Sequence, residues 1–256
     1  MRFNGGEALP WSRVERILSG RPGPIPVPVN HLPGAAEEPK VGHSAVPFVE
    51  LHAVSSYSFL HGASEPEELV ARAVELGLRG IALVDRDGFY GLMKFAEAAA
   101  KVGLSAVFGA ELSLDPAPLT VLARAPEGYR RLSRLISRAH MEAGEKGAVS
   151  YPSMAEIGAQ LQDECLFLVG WEWAEHFDLL VDGIKIDSMV LEYACTQLPE
   201  DADHHLLLDS LPVPRAIATA RPAAATRQHA RLAGAKEALS RRLALADASP
   251  NSHPMG

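Results

Sequence analysis

Between Val46 and Val169, short apolar runs alternate with stretches of helical periodicity, and this alternation restricts the fold more than any other feature. Val46 to Ala53 reads as a buried strand ending at His52, and Ile81-Ala82-Leu83-Val84 as a second. Ser105 to Phe108, Leu119 to Ala123 and Cys165 to Val169 continue the series. Helices are expected between them. Ser64-Glu65-Pro66-Glu67 has the pattern of a capping box, with Leu69, Ala73 and Leu76 on the buried face and Gly77 past the end. A second helix is expected from Tyr90 to Val102, stopping at Gly103, and a third from Gly128 to His140. Strands alternating with helices of about 10–14 residues predict βαβ units and a parallel, barrel-like sheet. In such sheets functional groups collect at the C-terminal ends of strands. His52, Asp85 and Glu111 all stand at such ends.

Three segments are delimited. Residues 1–47 hold an amphipathic turn of helix, Trp11 to Leu18, and then a stretch from Gly20 to Pro47 with seven prolines and four glycines. So much proline excludes regular helix or central strand, so an extended linker is expected. Residues 48–220 form the main domain, and 221–256 a basic, alanine-rich helical tail. Two cysteines, Cys165 and Cys195, make no short-spaced motif, which argues against a disulfide scaffold and for a reducing cytoplasm. No run of about 18 apolar residues is present to span a membrane. Formal net charge is −8, unusual for a free-standing DNA-binding protein, but it is unevenly spread. Glu156 to Asp209 holds thirteen acidic residues against Lys185, and Arg215 to Arg242 seven basic residues against Glu237. Such blocks form solvated faces, or, for the basic segment 215–242, a docking surface for phosphate or an absent domain.

Four motifs in order carry a resemblance. They are Phe48 to Ser64 around His52, Ala82 to Gly91 around Asp85, Phe108-Gly109-Ala110-Glu111-Leu112, and Pro126-Glu127-Gly128-Tyr129-Arg130-Arg131-Leu132. Together they resemble the PHP (polymerase and histidinol phosphatase) domain of bacterial C-family DNA polymerases. The leader Trp11 to Leu18 and the proline-rich linker resemble the error-prone alpha-subunit branch. The resemblance implies a distorted β/α barrel, a divalent metal cluster for phosphoester hydrolysis, and DNA and replication or repair proteins as partners in the parent polymerase.

The ligand pattern that this family implies is largely missing. The second histidine of the opening motif is Val54, and its aspartate is His61. The histidine after Asp85 is Arg86, and the one before the Leu119 strand is Pro118. Arg221 and Ala223 stand in the late Asp-x-His motif. His52, Asp85 and Glu111 keep ligand chemistry, whereas valine, proline and alanine bring no donor and a guanidinium repels a cation. No cofactor and no catalytic residue are therefore expected. Arg86 and Arg221 are candidates to pair with Asp85, Asp87 and Glu111 in place of metals; otherwise both point into solvent. His204-His205 is expected as a surface pair, Trp171 and Trp173 as alternating strand residues, and Cys165 as a buried apolar side chain. The expected function is the N-terminal portion of an error-prone polymerase, ending before the polymerase domain and inactive in synthesis alone. A stand-alone metal-dependent phosphoesterase and the product of a decayed gene are the alternatives.

Overall fold

The computed structural model describes residues 46–243. The expected helix at Trp11 to Leu18 and most of the proline-rich linker lie outside the described residues. Seven strands follow one another in a single sheet in chain order: β1 (Val49–Ala53), β2 (Gly80–Leu83), β3 (Ser105–Leu112), β4 (Leu119–Ala123), β5 (Cys165–Val169), β6 (Met189–Ala194) and β7 (Ala216–Thr219). The two edges are drawn together past the strand ends. Val54 N donates to the Pro222 carbonyl at 3.0 Å and Ala63 N to the Ala223 carbonyl at 2.8 Å. The result is a nearly closed α/β barrel.

The sheet is mixed rather than parallel throughout. β4 runs antiparallel to both β3 and β5, while all other neighbours are parallel. The connection from β3 to β4 is too short for a helical crossover, so β4 returns as a hairpin partner. Four helices pack outside: α1 (Pro66–Glu75), α2 (Leu92–Val102), α3 (Pro126–Ala143) and α4 (Met154–Leu161). Later come α5 (Phe177–Val181), α6 (Asp201–Asp209) and α7 (Arg227–Ser240). α2 ends on Gly103 at φ 70°, a left-handed C-terminal cap.

The capping box of α1 lies one residue later than the pattern suggests. Glu65 is the N-cap and its amide donates to Glu68 Oε2 at 2.9 Å. Ser64 is instead buried, taking the Ala225 amide at 2.8 Å and facing His229 Nδ1 at 2.7 Å. Trp171 and Trp173 stand on a 3-10 helix, Trp171–His176, and not on a strand. Trp173 is buried, with its indole N–H on the Pro118 carbonyl at 2.8 Å. Trp171 stacks on His204 at 3.9 Å between ring centroids. His205 turns instead to the Ala194 carbonyl.

Alternation along the strands sorts the core. Ala82, Val84, Leu122, Leu168 and Val190 cluster inside the barrel. The residues between them, including Val121, Phe167 and Leu191, pack outward with the helices. Cys165 lies in that outer layer, where burial pushes its thiol up to about 12. Chain after β7 packs back on the barrel: Ala223, Ala224 and Ala233 cluster with Ala63. Among the described residues no helix is long and apolar enough to cross a membrane.

Candidate functional site

The same pleat that turns Val107 and Val190 inward also turns Glu111 and Glu192 inward, farther along β3 and β6. His52 enters from β1, and Arg221 from the turn after β7. They meet at the mouth of the barrel in a pocket of about 450 Å³. Its lining includes His52, Val54, His61, Arg86, Glu111, Pro118, Arg221 and Ala223. Every position of the expected ligand pattern except Asp85 is therefore brought to one cavity.

Asp85 is buried beside the pocket and is fully engaged. Its Oδ1 accepts from Ser55 N, Ser55 Oγ and Ser58 Oγ at 2.8–2.9 Å, and its Oδ2 from Ser55 Oγ at 2.8 Å. Burial pushes this carboxyl up and the serine bonds hold it back. Asp87 also turns away, to Ser113 and to the Tyr151 hydroxyl. Neither aspartate meets an arginine side chain, contrary to half of the expected pairing.

Arg86 does meet the expected Glu111, whereas Arg221 takes partners outside the expected set. Arg86 Nε donates to Glu111 Oε1 at 2.7 Å, and Nη2 lies 2.5 Å from the same oxygen. Its Nη1 is 2.7 Å from His61 Nε2, which accepts there because a guanidinium has only donors. Arg221 spans two carboxylates, with Nη1 2.6 Å from Glu172 Oε1 and Nη2 2.6 Å from Glu192 Oε2. His52 stands between the two halves. Its Nδ1 is 2.7 Å from Glu192 Oε1, and its Nε2 is 3.6 Å from Glu111 Oε2. Thr219 Oγ1 donates to Glu192 Oε1 at 2.7 Å. Beyond His61 the series continues to Glu237 and Arg241 on and just past α7, at 3.9 and 2.6 Å.

Electrostatics follow from this geometry. Burial disfavours the charged form of His52, but Glu192 and Glu111 outweigh it and hold the imidazole at about 9. Burial likewise opposes ionisation of Glu111, and His52 with Arg86 outweighs it, holding the carboxyl at about 2. Glu192 is held well below the carboxylate range by His52 and Arg221 against the same penalty. Glu111 and Glu192 thus face Arg86, Arg221 and protonated His52, with Glu50, whose carboxyl burial pushes up, against the His52 backbone.

Glu172 and Glu192 were not legible as site residues. The signal for Glu192 is a lone carboxylate in the apolar run Met189-Val190-Leu191-Glu192-Tyr193-Ala194, which reads as a strand with one inward charge. Of the basic segment, Arg221, Lys236 and Arg241 are turned to the domain itself, Lys236 through the Gly62 carbonyl at 2.7 Å. Among the described residues no group of three or more His, Cys, Asp or Glu side chains is arranged to hold a metal ion.

An error-prone DNA polymerase of Corynebacterium efficiens is 51% identical over 98% of this chain and 26% of its own length. That of Corynebacterium glutamicum is 46% identical, over 100% of this chain and 25% of its own length. The chain thus spans about a quarter of the length of these curated relatives. An amidohydrolase from Chromobacterium violaceum, solved with bound sulfate and no metal, covers 69% of this chain and 87% of its own at 16% identity and a TM-score of 0.46. A family model described as PHP domain matches residues 50–189, more than half of the 256 residues. The chain belongs to the PHP domain family.

Proposed function

We propose that this chain is the N-terminal PHP portion of an error-prone DNA polymerase and serves it as a non-hydrolytic structural module. It works in the cytoplasm, alongside DNA and replication or repair proteins. The observation that carries this reading is the content of the pocket. Val54, Pro118 and Ala223 bring no donor to it, and Glu111 Oε1 and both oxygens of Glu192 are already taken by Arg86, His52 and Arg221. A divalent cation would have to displace two guanidinium groups, one from the buried Glu192 and one from the half-buried Glu111, so the residues present do not fit a metal cluster. Hydrolysis in the manner of the family needs an ion that activates water and clamps phosphate, and this lining offers such an ion no open ligand set.

Two assays test the reading. Purified chain, offered a p-nitrophenyl phosphoester and 3′-ended single-stranded DNA with Mn2+ or Zn2+, is expected to give no turnover. Turnover abolished by Glu111→Gln would instead favour a phosphoesterase. An antibody to residues 48–140 is expected to detect, in cell extract, a product about four times the size of this chain, given that it spans 26% of a relative. A product of this chain's own size would overturn the polymerase reading.

A further inference from the structure

We propose that Arg86 and Arg221 stand in for bound cations as the fixed positive charges that hold the mouth of the barrel together. The inference deepens the reading above for the same pocket. A silent hydrolysis assay is compatible with a fold that still needs a metal, so the two fail separately.

Three observations carry it. First, both guanidinium groups lie in the cavity on which the strand ends converge, not on the outer surface. Second, each joins carboxylates or loops from different parts of the sheet. Arg221, which follows β7, ties Glu192 on β6 to Glu172 after β5. Arg86, which follows β2, ties Glu111 on β3 to His61 in the loop after β1. With His52 of β1 between Glu192 and Glu111, the contacts run across the whole mouth. Third, Arg221 adopts a φ of 46°, a region that side chains other than glycine avoid unless surrounding contacts outweigh the strain. The backbone is held there with the side chain between two glutamates. Without these cations, the basic groups left in the lining around Glu111, Glu172 and Glu192 would be His52, His61, His204 and Arg241, none of which is in hydrogen-bond contact with Glu111, and like charges at such range disfavour the closed barrel.

Substitution of cation for cation makes a reciprocal demand: a chain with both arginines should ignore divalent metal, and one without them should seek it. The test measures melting temperatures of the chain and of Arg86→Met, Arg221→Met and the double variant, in chelator and in excess Mn2+ or Zn2+. The unaltered chain is expected to melt at the same temperature in both. Arg221→Met, which strips the buried Glu192 of its partner, is expected to melt lower by on the order of 10 °C, the scale for one broken buried ion pair in a domain of this size, and Arg86→Met, whose side chain is 34% exposed, by less. The double variant is expected to regain part of its loss on addition of metal, through the uncovered His52, Glu111 and Glu192. If the double variant does not fold, the metal titration is read on Arg221→Gln. A chelator-sensitive parent chain, arginine variants that melt with the parent, or a loss that no divalent cation relieves would each overturn the proposal.

Discussion

His52 sets a stability dependence with a definite sign. Its imidazole moves from 6.5 to about 9 because Glu192 and Glu111 face it inside the barrel. A basic group with a raised pKa in the folded state adds stability that is full below 6.5 and is lost as pH rises through about 9. At about 1.4 kcal/mol per tenfold change in proton affinity, the contribution is about 3 kcal/mol. The shifts of Glu111 and Glu192 arise from the same contacts and are not added to it. The perturbation is His52→Gln, which keeps a polar side chain between the glutamates and removes the titration. The assay is urea unfolding of both proteins from pH 6.5 to beyond 9. The parent should lose about 3 kcal/mol more than the variant across that window. Curves that fall in parallel would refute the buried imidazolium.

Further outcomes follow from other contacts. On the acid side, Glu111 adds stability that is present above 4.5 and lost as pH falls toward about 2, so Glu111→Gln should flatten acid unfolding in that range, read by circular dichroism. Ser55→Ala should cost about 1–3 kcal/mol in chemical denaturation, because it leaves the buried Asp85 carboxylate short of donors. A Cβ at Gly158 on α4 would overlap the Gly183 carbonyl oxygen, so Gly158→Ala should destabilise by about 1–3 kcal/mol despite the better helix propensity of alanine. Ending the chain after Ala220 would remove Arg221 and uncover Ala63 and Ser64, and the product should melt well below a chain that runs to Leu243.

Strands without a charged residue in their apolar run were legible, and Leu119–Ala123 and Cys165–Val169 begin and end where their hydrophobicity does. β6 was hidden because Glu192 breaks its run, and that interruption is itself the site residue. The antiparallel course of β4 is set by the short connection before it, a length effect that apolar alternation does not report. Ser64 and Glu65 both suit an N-cap, and the choice fell to Glu65 because Ser64 is taken up by Ala225 and His229, partners far along the chain. For the pocket, ordered motifs sufficed to gather eight of its lining residues. They did not reveal that Asp85 is sealed by Ser55 and Ser58, or that Arg221 pairs with Glu172 and Glu192. Those depend on which side of the barrel mouth each side chain reaches.

Paired side chains are proposed here to take the place of metal at the barrel's mouth. Elemental mass spectrometry of the chain, purified without chelator from medium supplied with zinc, manganese and iron, tests it most directly. Far less than one divalent ion per chain is expected. One or more ions retained per chain, and lost in a Glu111→Gln variant, would contradict the account.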